Sequence, residues 1–86
     1  MPELSRFLGM IISIYFEDHN PPHFHVAYNE NEAVISINDL QVIKGSLPSR
    51  VLGLVIEWAD LHKTELMENW NSVKENGKFT KIAPLA

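Results

Sequence analysis

The chain of 86 residues sets seven Lys and Arg against eleven Asp and Glu, a formal charge of −4, which leaves no clustered cations for gripping nucleic acid or an anionic membrane surface. With 45% hydrophobic and 21% charged residues it has the composition of an ordinary globular protein, enough for a single domain over 1–86. The absence of cysteine excludes a disulfide scaffold and thiol catalysis.

In chain order, Gly9 to Phe16 is rich in β-branched and aromatic residues, with Met10, Ile12, Ile14 and Phe16 on one face, and reads as the first strand. The apolar run Leu8 to Phe16 is far shorter than the roughly 20 residues that cross a bilayer, and Met1-Pro2-Glu3 has no basic leader region, so a cytoplasmic protein is expected. Glu17 to Pro22 is a loop, because the two prolines lack N–H donors and push their predecessors out of the helical region. His23 to Tyr28 alternates as a second strand and Ala33 to Ile37 as a third. Asn38-Asp39 suits a tight turn, and Leu40 to Lys44 follows as a fourth strand.

At Gly45-Ser46-Leu47-Pro48 the period changes, and no breaker appears before Asn76-Gly77, a helix C-cap pair. One long helix is the simplest reading. Its core-facing stripe holds Val51, Leu54, Val55, Trp58, Leu61, His62, Leu66 and Val73, flanked by Leu52, Ile56, Ala59, Met67 and Trp70. Phe79 to Leu85 alternates and is read as an extended tail, able to cover that flank. A second copy or a partner chain is the competing cover, with Trp70 as its anchor. The expected fold is α+β, an antiparallel meander of about four strands under one long C-terminal helix with a short extended C-terminal tail.

Three of the four histidines fall in Asp18-His19-Asn20-Pro21-Pro22-His23-Phe24-His25. Histidine clusters handle protons, bind metals or tie down turns. On a strand, His23 and His25 project to one face with Cβ atoms roughly 6 to 7 Å apart, a span that one ion can close. His19 on the loop is the candidate third ligand of a divalent metal such as zinc, with Asp18 as a ligand or as a partner orienting an imidazole. The competing reading is structural: His23 faces solvent, His25 packs against Tyr15, and His19 bonds loop carbonyls. His62 stands on the helix's apolar stripe with Glu65 at i+3. It is either a satisfied core histidine or, with Glu65, a catalytic candidate brought against His23 and His25. No glycine-rich phosphate loop and no Gly-x-Ser-x-Gly motif is present.

Ser5-Arg6-Phe7, the run Asp18 to Val26, Gly45 to Pro48, Glu57 to His62, Glu65-Leu66, Asn69-Trp70 and Lys81 to Leu85 together resemble a bacterial family, the domain of unknown function (DUF4160) family. The resemblance implies a small cytoplasmic protein, often encoded beside a second small family of unknown function (DUF2442) in an arrangement like a toxin–antitoxin pair. It brings no activity, and directs attention to His19, His23, His25, Glu57, Trp58, His62 and Glu65. The expected function is a protein-binding module of a bacterial two-gene system, acting as a homo-oligomer or with the neighbouring gene's small product. A histidine- or metal-dependent nuclease or other hydrolase is the alternative, and a transcriptional regulator a weaker one.

Overall fold

The computed structural model describes residues 3–85. Strands β1 (Glu3–Phe7), β2 (Met10–Ser13), β3 (His23–Tyr28), β4 (Asn31–Ser36) and β5 (Val42–Gly45) precede helices α1 (Ser49–Leu61) and α2 (Lys63–Asn76). The strands form one antiparallel sheet in the order β1-β2-β3-β4-β5. The α+β meander is as expected, but it has five strands instead of four and two helices instead of one. The extra strand is β1, whose register shifts between Glu3 and Ser5 so that Leu4 and Ser5 are both buried. A bulge of this kind erases the alternation by which a strand is read. The first expected strand is also shorter than its apolar run: β2 stops at Ser13, and Phe16 lies in the following loop, 54% exposed.

The helix breaks at His62, whose φ of −117° and ψ of 24° leave the helical well. The His62 backbone groups are nonetheless paired. The His62 N–H reaches Trp58 O at 3.1 Å and Ala59 O at 3.2 Å, and the His62 carbonyl accepts from Leu66 N–H at 2.9 Å. The buried stripe keeps its helical spacing across the break: α1 buries Val51, Val55, Trp58 and Ala59, and α2 buries Leu66, Asn69, Trp70 and Val73. Leu61, read as part of the apolar stripe, is instead 68% exposed, because it lies to one side of the line through Val55, Leu66 and Val73. Gly77 ends α2 in the left-handed region, its N–H on Val73 O, as its position after Asn76 predicts.

One face of the sheet, carrying Met10, Ile12, Phe24, Val26 and Ile35, packs with Val55, Trp58, Leu66 and Val73 of the helices in a single core. The tail closes its open side. Ile82 N–H bonds to Leu4 O at 2.8 Å, the Trp58 indole N–H donates to Ala83 O at 2.8 Å, and Thr80 N–H donates to Asn69 Oδ1 at 2.8 Å. Ala59 and Trp70 are buried within the chain, Trp70 against His23 of the sheet, whereas Leu52, Ile56 and Met67 stay half-buried. At Gly45 (φ +78°) a Cβ would lie 2.1 Å from Glu32 O, so only glycine fits where β5 leaves the sheet. Among the described residues no helix is long and apolar enough to cross a membrane.

Candidate metal centre

The connection from β2 to β3 carries Asp18 back over the start of β3. Asp18 is held by a reciprocal turn: its N–H bonds to Tyr15 O at 3.2 Å, and Tyr15 N–H donates to Asp18 Oδ2 at 3.3 Å. The far end of the loop is fixed by Ile37 N–H on Pro22 O at 3.0 Å. β3 then sends Phe24 and Val26 into the core, which by strand alternation leaves His23 and His25 together on the other side. Asp18 Oδ2 lies 3.2 Å from His23 Nε2 and 2.9 Å from His25 Nε2. The three donor atoms all fall within 4.8 Å of one another.

The tautomer of His23 follows from its surroundings. His23 Nδ1 is 2.7 Å from Pro21 O, and a carbonyl only accepts, so Nδ1 carries the hydrogen. The neutral ring then presents the Nε2 lone pair to a carboxylate oxygen. A lone pair turned toward that oxygen, beside the nitrogen of His25, is an arrangement that one metal ion could bridge. Imidazoles that ligate metals characteristically donate the opposite N–H to a carbonyl or carboxylate, as His23 does. Tetrahedral zinc with ligand bonds near 2.1 Å sets donors about 3.4 Å apart, so the two Asp18–imidazole separations would open by only tenths of an ångström to take an ion. Three protein donors also leave a fourth position free for water.

Aromatic rings wall the trio. Tyr15 meets His25 edge-on at 4.3 Å, and His23 stands 5.2 Å from His25 and 5.1 Å from Trp70 of α2. Burial raises the Tyr15 phenol above its ordinary pKa, and the negative charges of Glu32 and Asp18 add to the rise. Lys74, one turn beyond Trp70, lays its ammonium over that indole at 4.8 Å and donates to Phe16 O at 3.2 Å.

His19 lies outside the converging set, exposed at the rim of a cleft that also includes Asp18. The loop carbonyl expected to bind His19 is bonded by His23 instead. The packing of His25 against Tyr15, read as the structural alternative, is present together with the converging donors. His62 and Glu65 form their own pair, with Nδ1 to Oε1 at 2.5 Å, and His62 packs on Trp58 at 5.4 Å between ring centres. Among the described residues, neither makes a hydrogen bond or ring contact with His23 or His25. The composite site joining the two clusters is therefore not formed. Glu57 is exposed and Trp58 is fully buried. Trp70 and Lys74 beside the loop are the neighbours that sequence reasoning missed; a lysine four residues after a tryptophan on a helix was the available signal.

No curated protein and no solved structure shows a significant match to the chain. The profile of one family covers residues 9–71, a span that includes Asp18, His23, His25, His62, Glu65 and both tryptophans. On that match the chain belongs to the domain of unknown function (DUF4160) family.

Proposed function

We propose that this chain is a divalent-metal protein that holds zinc on Asp18, His23 and His25 and uses the free fourth position for hydrolysis. One observation carries the reading: His23 spends its only neutral-state N–H on Pro21 O and turns a lone pair toward the carboxylate that His25 also approaches. Zinc bound there supplies a Lewis acid and an acidified water. The chain's own part is to hold Asp18 through the Tyr15 turn and to lock both imidazoles between Tyr15 and Trp70. Metal analysis of untagged protein, followed by zinc titration, tests this reading. The expected result is one ion per chain, lost in His25→Ala; protein that neither retains nor titrates with a divalent ion would overturn it.

A second reading, the binding module of a two-gene system, is favoured by β5. This strand forms a sheet edge and is exposed throughout, with Val42 and Ile43 at 39% and 49%. Such an edge offers unpaired backbone groups to a partner strand. Co-purification with the neighbouring gene's product tests it, with Ile43→Lys expected to abolish the association; a partner that never co-purifies would sink it.

A further inference from the structure

Beside the trio, a cleft of about 370 Å³ runs between the β2–β3 connection and α2, lined by Asp18, His19, Asn20, Trp70, Asn71 and Lys74. Asp18 is the one residue this cleft shares with the metal centre, so the two adjoin through its carboxylate. We infer that the cleft binds the phosphate group of a phosphate ester, a reading that rests on the proposed metal centre and names the ligand class of that same site.

The argument is one of sign and donors. Asp18 and Lys74 are the only formally charged side chains in the lining. An ion on Asp18 cancels its negative charge, leaving a cleft that is cationic within a chain of net charge −4. Lys74 makes no ion pair among the described residues. Its ammonium is steered by one carbonyl and one indole face, and an ammonium has three hydrogens to donate. Asn20, Asn71 and His19 can add further N–H donors around the same space. A metal ion and a lysine bracketing one cavity are a recurrent clamp on phosphoryl oxygens. Trp70 is 3% exposed and offers no face on which a nucleobase could stack, so recognition falls on the phosphate and not on a base.

The test is calorimetric titration of inorganic phosphate into the full chain, zinc-loaded and chelator-stripped, for the wild type, Lys74→Gln and Lys74→Arg. The zinc-loaded wild type should bind phosphate, and both stripping and Lys74→Gln should weaken it by about tenfold or more, while Lys74→Arg retains most of it. Zinc affinity should be the same in all three proteins. Normal zinc binding with equal phosphate affinity in wild type and Lys74→Gln would overturn the cleft assignment alone. Failure to bind zinc would overturn the metal centre and this inference together. Comparing zinc-loaded turnover of a nitrophenyl phosphate monoester with that of the bis-nitrophenyl diester then separates monoester from diester as the source of the phosphate; turnover of neither, with no phosphate binding, would count against both.

Discussion

Two histidines in this protein rest on a tryptophan: His62 on Trp58 within the helical layer, and His23 on Trp70 between sheet and helix. Both have a fixed Nδ1, but different groups fix it. At His62 the carboxylate of Glu65 takes Nδ1, and among the described residues no second imidazole or carboxylate bonds to the ring; the pair sits at the joint between two helices. At His23 a backbone carbonyl takes Nδ1, and the carboxylate stands at Nε2 with His25 beside it. The same side chain thus serves as a finished structural contact in one place and as an open donor in the other. Nε2 is left over in both, and what stands opposite it decides which.

The largest effect should come from the ring beneath the finished pair. Trp58→Ala removes a fully buried indole and its bond to Ala83 O, and should cost about 3–5 kcal/mol in urea denaturation. The contrast between the histidines comes next. His23→Ala should lower zinc affinity by about 100-fold or more, whereas His62→Ala should leave it unchanged; equal losses in calorimetric titration would erase the distinction drawn here. His62→Ala should instead show in stability, by about 1 kcal/mol, for the lost contact at the helix joint. The smallest effect is spectroscopic and belongs to the open site. In a Tyr28→Phe background, the remaining Tyr15 phenol should titrate above its ordinary pKa of 10.0, and zinc loading should bring it down by cancelling the charge of Asp18. A raised pKa in the fold means that the neutral phenol is the favoured form. The associated stability is therefore present below the unfolded value and is lost as alkaline pH passes through the folded one. An ultraviolet titration that does not move with zinc would place the ion elsewhere.

Strands β3 and β4 were legible because they send alternate residues to the core, as Phe24 and Val26 do, and β5, exposed throughout, was legible from the turn that precedes it. β1 was not, since its bulge puts Leu4 and Ser5 both out of contact with water. The end of α2 was written in Gly77, but the break at His62 was not, because neither proline nor glycine marks it and the buried residues keep their helical spacing across it. At the candidate site, strand periodicity sufficed to pair His23 with His25. The choice between Asp18 and His19 as the third member depended on how the loop folds back through the Tyr15 turn, a matter of backbone path that composition does not encode.

The sheet's spatial order repeats its chain order, each strand pairing only with those next to it in sequence. Every pairing is therefore a hairpin, and the entropy of closing distant loops is small until the helices and tail arrive. Within the sheet the pairings are local, so it can zip from any turn outward. The bond from Ile82 to Leu4 joins the two most widely separated partners in that scheme. Its closure is expected to be the last event on the folding path, and its opening the first step of unfolding.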